Sequence, residues 1–247
     1  KFLVDRYRAN HFDFTDLTLA VKKSWLKDFC NLMIKEKLPI TWGIPSGTRV
    51  EVLDNEMLSL LKEAGLNDVT YAAESGSETV LKIIKKKISL PKFLSSLKQA
   101  VKLKLRTKVN IIIGFPEETR YNTFESWLFV MKCALIGVHD LLVMGISIYP
   151  GSEDHKRIVK AKKVVFDDNF FDVLSEEASL GYAPCYSNHY TRLELNMFKF
   201  WIFISFYVVS ILTHPTRIIV LIKDLFSQSG STRLSTGLIN LIKRRNS

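Results

Sequence analysis

The feature that most constrains this chain is a repeated alternation of short apolar runs with longer segments of helical periodicity. The runs are rich in β-branched and aromatic residues, and the segments between them place apolar residues three or four positions apart. Each unit takes roughly 25 to 40 residues, which suits a strand followed by a helical crossover. The alternation predicts an α/β fold with parallel strands, either a βα barrel or an open doubly wound sheet.

The alternation continues to about residue 155 and predicts the bounds of each strand and helix up to that point. Five strands are predicted: His11–Asp16, Ile40–Pro45, Val69–Ala73, Val109–Ile113 and Leu141–Ile148. Helices are predicted between them over residues 24–36, 55–64, 77–85, 91–104 and 119–136. The fourth strand, with its run of β-branched residues, is typical of a strand buried on both faces.

Composition excludes some classes of protein. A hydrophobic content of 47% over 247 residues describes a globular chain rather than a disordered one. Its three cysteines, Cys30, Cys133 and Cys185, are far apart, so they support neither a disulfide framework nor a CxxC metal site, and a reducing, cytoplasmic setting is expected. The net charge of +10 is compatible with a nucleic acid, a phosphate-bearing ligand or an acidic membrane.

Polar and glycine-rich residues follow every predicted strand. Because the carboxyl ends of parallel strands meet at one edge, we expect these residues to form a site for a small polar ligand such as a nucleoside. Glu74 can accept both hydroxyls of a ribose, and Arg49 can hold a carboxylate through two hydrogen bonds. The alternative is structural: the serines after the third strand cap a helix, and Arg49 pairs with Glu51 or Asp54.

Five segments follow one another in a recognisable order and spacing. The segments are LDNEMLSLLKEAG (53–65), YAAESGS (71–77), VLKIIKKK (80–87), IIIGFPEET (111–119) and IYPGS (148–152). Taken together, they resemble radical S-adenosylmethionine (radical SAM) enzymes. The similarity covers residues 11 to 152 and is closest to the branch that often carries an N-terminal cobalamin-binding domain.

The resemblance implies a fold and an activity. The fold is an incomplete (βα)6 partial TIM barrel over residues 1–155, with strands two to six of the barrel present, followed by a helical C-terminal extension over 156–247. The activity is reductive cleavage of S-adenosylmethionine at a 4Fe-4S cluster, fed by an electron donor, to give a 5′-deoxyadenosyl radical. Methylation, cyclisation and rearrangement of the substrate all stay open.

The resemblance also assigns cofactor contacts. Glu74 and Ser75 match the family's contacts to the ribose and the methionine part. Arg49 matches a cation near the cofactor carboxylate. The backbone around Gly114 matches the contacts to adenine, and Asp16 falls where the family binds the cofactor's amino group, although the usual GGE letters are absent there. The adenine segment consists of Ile113, Gly114 and Phe115.

The family's CxxxCxxC motif, which binds the cluster, is absent from this chain. Cys30 and Cys133 lie among apolar neighbours at helical spacing and are interpreted as core residues. We therefore expect the chain to be a C-terminal fragment, inactive alone, whose cluster cysteines lie upstream of Lys1. Any cobalamin-binding domain would lie upstream as well.

The C-terminal region contains the most hydrophobic segment, Phe200–Leu212. Its thirteen residues are fewer than the roughly 20 that cross a bilayer, so a buried helix is favoured and an interfacial helix is the alternative. Together with Arg217–Phe226 and the cations Lys243–Arg245, the segment is compatible with peripheral membrane contact or a lipid-like substrate.

Two other classes of function are kept as alternatives. The chain could be a βα nucleoside-binding or assembly subunit that has lost the cluster. A basic nucleic-acid-binding protein is disfavoured, because the lysines fall mostly on helices and loops between strands, where solvated faces are common.

Overall fold

The computed structural model describes residues 1–16, 19, 22–153, 155–156, 160, 168–175 and 184–246. Its centre is a sheet of five strands that pair in chain order, each parallel to the next, and curve into a half-barrel. The strands are β1 (His11–Asp13), β2 (Thr41–Thr48), β3 (Leu66–Glu74), β4 (Arg106–Ile113) and β5 (Asp140–Gly145). The five predicted strands and the predicted fold class are confirmed.

Helices connect the strands and cover one face of the sheet. The helices are α1 (Phe2–Tyr7), α2 (Lys23–Glu36), α3 (Asn55–Glu63), α4 (Glu78–Ile83), α5 (Leu90–Lys102), α6 (Arg120–Ile136), α7 (Asp168–Ser175), α8 (Arg192–Thr213), α9 (Thr216–Ser227) and α10 (Arg233–Asn246). The edge strand β1 ends at Asp13, three residues before its predicted end, because only residues 11–13 pair with β2.

The core lies between the sheet and these helices. Alternate residues of β3 and β4 point to it and are buried, as the two-residue period of a strand requires. Trp42 on β2 is fully buried, and its indole N–H donates to the carbonyl of Ala64 at 2.8 Å. The rings of Phe14 and Phe29 meet Trp42 edge to face, with centroids 5.5 and 5.4 Å away.

Helix α8 is longer than the thirteen-residue segment that the sequence suggested. It runs for 22 residues, because Thr191 and Glu194 form a capping box that starts it eight residues before Phe200. Its length and composition would allow it to cross a bilayer, although 39% of its most apolar window is buried inside the fold. The argument that this segment is too short to cross a bilayer was therefore wrong, although one face of α8 is packed against the rest of the fold.

The C-terminal helices pack on α6 and on the amino ends of β4 and β5. The indole N–H of Trp127 on α6 donates to the hydroxyl of Ser205 on α8 at 2.9 Å. Asp140, the first residue of β5, accepts from the backbone N–H of Arg233 at 2.9 Å and from the hydroxyl of Tyr207. The amino end of this part of the sheet is thus closed by the C-terminal region.

A buried carboxylate organises the turn after β4. Glu118 is fully buried and accepts from the N–H groups of Gly114 (2.6 Å) and Phe115 (3.2 Å) and from the hydroxyl of Thr123 (3.0 Å). Tyr190, just before α8, donates in turn to Thr123 at 2.5 Å. Burial raises the pKa of Glu118 to about 7, and these hydrogen bonds oppose part of that rise.

Truncation of Trp42 tests the core. We expect Trp42→Ala to lower the free energy of unfolding by about 3–5 kcal/mol, because it leaves a cavity and an unpaired carbonyl. Trp25→Ala, which removes a half-exposed indole stacked on Phe29, should lower the free energy of unfolding by well under half of that amount. Urea denaturation of the two variants makes the comparison, and equal losses would contradict this description of the core.

Glu118 predicts a pH dependence of stability. Its folded-state pKa of about 7 lies above the ordinary 4.5, so between these values the folded chain retains a proton that the unfolded chain has lost. The free energy of unfolding should therefore fall as pH rises from 4.5 to 7, by at most about 1.4 kcal/mol per unit, and level off above 7.

Glu118→Gln has no proton to lose, so urea denaturation between pH 5 and 8 should give it a flatter profile than the unmodified protein. Glu63→Gln, at an exposed carboxyl on α3, is the matched control and should keep the original slope. A profile of Glu118→Gln that superimposes on the original would refute the assignment.

Candidate functional site

A cavity of about 510 Å³ opens at the carboxyl edge of the sheet, between the ends of β2 and β3 and the segment that follows α4. We call it the strand-end cavity. It lies where the polar strand ends were expected to meet. Its polar and charged lining consists of Ser46, Thr48, Arg49, Glu51, Glu74, Lys85, Lys86 and Lys87.

Glu74 supplies the carboxylate of the cavity. It is the last residue of β3, and its φ of 65° is left-handed, beside an irregularity in the pairing of β3 with β4. A non-glycine residue in that conformation costs of order 1 kcal/mol or more and persists only where its surroundings hold it. The ammonium group of Lys86 lies 3.1 Å from the Glu74 carboxylate, so this ion pair fixes the direction of the carboxylate from one side.

Arg49 supplies the cation opposite. Its side chain is exposed, and within the described ranges it forms no ion pair. Asp54, one of the two acids weighed as its partner, pairs with Lys23 and accepts the N–H of Met57 to cap α3. The guanidinium is therefore available to an anionic group of a ligand.

Thr48 and Gly47 shape the wall between these charges. Thr48 is 7% exposed, and its hydroxyl is a buried polar atom that has no hydrogen-bond partner among the residues that the structure describes. Gly47 has a φ of 93°, and a Cβ there would lie 3.1 Å from the Cβ of Ala72, so a side chain would be strained and would crowd the wall. An unpaired hydroxyl in a cavity with both charges fits a ligand rich in hydroxyl, amino and carboxylate groups.

Ser75 lies behind the cavity rather than in its lining. It is fully buried, its hydroxyl shares a 3.1 Å hydrogen bond with Ser126 of α6, and it accepts the N–H of Ser77 at 3.1 Å. Ser77 precedes α4 but does not cap it through its side chain, which donates to Glu125 instead. The expected contact of Ser75 with the methionine part stays a prediction.

The expected adenine segment lies in the turn that Glu118 organises. Ile113, Gly114 and Phe115 are buried, and the N–H groups of the last two are used inside the turn. Gly114 has a φ of 87°, and a Cβ there would lie 2.8 Å from a methyl group of Leu195 on α8. These three residues do not line the strand-end cavity, and their contact with adenine stays a prediction.

Asp16 is exposed in the loop after β1 and does not line the strand-end cavity either. The structure thus brings together two of the expected residues, Arg49 and Glu74. The structure gives specific roles to three further residues that the sequence did not assign as cofactor contacts: Thr48 and Lys86 in the cavity, and Glu118 in the turn after β4. A sequence carries no signal for an unpaired buried hydroxyl, and nothing distinguishes Lys86 from the other two lysines of its run. Glu118 lies four residues after Gly114, and this spacing could have predicted the hydrogen bond between them.

The cysteines do not fit an iron–sulfur cluster. Cluster ligands are thiolates, yet burial raises the pKa of Cys30 to about 11 and that of Cys133 further still. Cys185 donates to the carbonyl of Tyr190 at 3.4 Å. Within the described part of the chain, no three potential metal ligands come together.

Curated relatives match over different lengths. An uncharacterized methyltransferase of Pyrococcus horikoshii is 26% identical over 225 residues, which are 91% of this chain and 45% of the relative. Cytidylyl-2-hydroxyethylphosphonate methyltransferase of Streptomyces wedmorensis is 32% identical over 115 residues, which are 46% of this chain and 21% of the relative. The chain spans less than half the length of either relative.

A solved structure matches the fold. It is the radical S-adenosylmethionine methyltransferase TsrM from Kitasatospora setae, with cobalamin and a [4Fe-4S] cluster bound. The TM-score is 0.52 at 13% sequence identity, covering 64% of this chain and 32% of that one. The model of the radical SAM superfamily matches residues 5–126, which contain β1 to β4 and the strand-end cavity. Residues 5–126 of this chain therefore form a radical SAM superfamily domain.

Proposed function

We propose that this chain binds S-adenosylmethionine in the strand-end cavity and is part of a radical SAM enzyme that transfers a methyl group to a small-molecule substrate. One observation carries the proposal. The cavity joins an oriented carboxylate, Glu74, to the guanidinium of Arg49 and the buried hydroxyl of Thr48, and neither of the last two has a partner in the described part of the chain. S-adenosylmethionine offers a diol, a carboxylate and an amino group to such a set.

The residues of the cavity have separate tasks in this proposal. Glu74 accepts hydrogen bonds from the two ribose hydroxyls, and the ion pair with Lys86 fixes the direction of its carboxylate. Arg49 holds the carboxylate of the methionine part through two parallel hydrogen bonds. Thr48 satisfies its buried hydroxyl on a polar atom between the two ends, and it thereby fixes the position of the ligand along the cavity.

Membership in the superfamily implies S-adenosylmethionine and a 4Fe-4S cluster as cofactors. Bound S-adenosylmethionine supplies either its methyl group or, on reduction, a 5′-deoxyadenosyl radical. Because the three cysteines of this chain do not fit the cluster, we propose that its ligands lie outside residues 1–247 and that an electron donor acts there. What this chain contributes is the binding and orientation of the organic cofactor.

Methyl transfer is the reaction class that the relatives support. The two curated relatives reported above bear the name methyltransferase, and one of them matches along 91% of this chain. Arg49 and Lys87 in the lining of the cavity suit a substrate that carries negative charge, whereas Lys85 pairs with Glu153 at 2.9 Å. Use of cobalamin stays a prediction, as does the identity of the substrate.

Binding of S-adenosylmethionine tests the assignment of the cavity. In the full-length protein we expect Glu74→Gln and Arg49→Ala each to weaken binding by about 10- to 100-fold, since each removes charge-assisted hydrogen bonds. Isothermal titration with S-adenosylmethionine measures the change.

Asp68→Asn is the matched control, because Asp68 is a carboxylate at the opposite end of the same strand. It should leave the Kd within about twofold. Binding that survives both cavity substitutions, or that falls equally in the control, would remove the cofactor from this cavity.

Product analysis tests the reaction class. The full-length protein, reduced under anaerobic conditions with S-adenosylmethionine, should form S-adenosylhomocysteine, because loss of the methyl group leaves that thioether. Chromatography of the nucleosides detects it. Formation of 5′-deoxyadenosine without S-adenosylhomocysteine would exclude methyl transfer and favour cyclisation or rearrangement.

Joint replacement of Cys30, Cys133 and Cys185 by alanine in the same protein should leave its iron and sulfide content unchanged. A loss of iron would show that these thiols are ligands and would overturn the fit described above. No cluster in the unmodified protein, together with intact S-adenosylmethionine binding, would instead favour a subunit that binds a nucleoside without radical chemistry.

A further inference from the structure

Helix α8 presents an apolar stripe to the outside along its whole length. The exposed side chains recur at helical spacing and are between 50% and 75% exposed. They span about 28 Å along the helix axis, since each residue adds 1.5 Å. The opposite side of α8 carries Leu195, Ile202 and Phe206, which are fully buried in the core. The stripe consists of Leu193, Met197, Phe200, Trp201, Val208 and Leu212.

Helix α9 repeats the pattern in a stronger form. It buries Asp224, which accepts hydrogen bonds from Ser229 and Ser231, and it turns Ile218, Ile222 and Phe226 outward. Phe226 is 88% exposed. A surface helix normally has its apolar side inward and its polar side outward, so α9 is inverted. Large exposed apolar side chains in this number on two consecutive helices indicate a site of contact with a partner or a membrane.

The charges beside these stripes have one sign. Every exposed charged side chain on α6, α8 and α9 is a cation. The three acids on these helices are buried or half-buried, and each is hydrogen-bonded within the fold. Residues 192–247 contain eight lysines and arginines against two acids. The exposed cations are Lys132, Arg192 and Lys223, together with Arg120, whose guanidinium pairs with Glu194 at 2.7 Å.

We propose that the outward faces of α8 and α9 dock on an anionic lipid bilayer, with both helices lying in its interface. Apolar side chains would enter the acyl boundary, Trp201 would sit at the level of the headgroups, and the cations would meet the acidic headgroups. Docking in the plane fits better than a span, because the inner side of α8 would have to leave the core to cross the bilayer.

A second copy of the chain fits this surface less well. A two-fold contact through the same faces would bring one set of cations against another, without exposed acids on these helices to compensate. An anionic bilayer supplies both the apolar phase and the opposite charge. The inference goes beyond the proposed reaction and does not depend on it.

Flotation with liposomes tests the proposal on the full-length protein. We expect it to float with phosphatidylcholine vesicles that contain phosphatidylglycerol, less with phosphatidylcholine alone, and less at high salt. The double variant Met197→Glu/Trp201→Glu should lower the bound fraction roughly 10-fold or more, because it replaces two apolar side chains that would enter the bilayer by two anionic ones.

Trp25→Glu/Leu32→Glu is the control, since it makes the same change of charge at exposed apolar residues on α2. It should float as the unmodified protein does. Absence of flotation with anionic vesicles at low salt, or equal losses in both double variants, would overturn the proposal. The proposal would also be overturned if light scattering showed a stable dimer that dissociates only in the α8 double variant. Circular-dichroism spectra and urea denaturation midpoints close to those of the unmodified protein verify that both variants are folded.

Discussion

The parallel pairing of the five strands is the constraint on which the rest of the structure depends. Parallel neighbours require a crossover after each strand, so every helix returns the chain to the same edge and every strand ends at the opposite one. Residues that are far apart in sequence, such as Arg49 and Glu74, thereby reach one cavity. The covering helices bury one face of the sheet, and the site therefore forms at the edge that their packing leaves open.

The two edges of the sheet have different partners. The carboxyl edge holds the strand-end cavity, which is lined by charged side chains and by Thr48, whose buried hydroxyl has no hydrogen-bond partner among the described residues. At the amino edge, the C-terminal region covers the beginnings of β4 and β5, and Asp140 is satisfied by Arg233 and Tyr207. The same C-terminal region reaches the other edge through Leu195, which contacts the turn at Gly114. One helical region thus braces the half-barrel at both ends.

The sequence predicted the sheet because β-branched runs and helical periodicity are local signals. It placed Glu74 and Arg49 at one edge because strand ends are local too. It did not reveal the long-range partners. Glu118 depends on the hydroxyl of Thr123 and on burial by the C-terminal region, and the unpaired state of Thr48 depends on what the fold leaves beside it. The start of α8 was missed because hydrophobicity, rather than the capping box at Thr191, was used to bound it.

The contact between Asp140 and Arg233 also has a consequence for synthesis on the ribosome. The two residues are 93 positions apart, so the amino end of β5 waits for its cover until the C-terminal helices emerge. At roughly 5 to 20 residues per second this interval is on the order of 5 to 20 s. During that time the amino end of β5 and the apolar inner side of α8 lack the contacts that bury them in the folded chain.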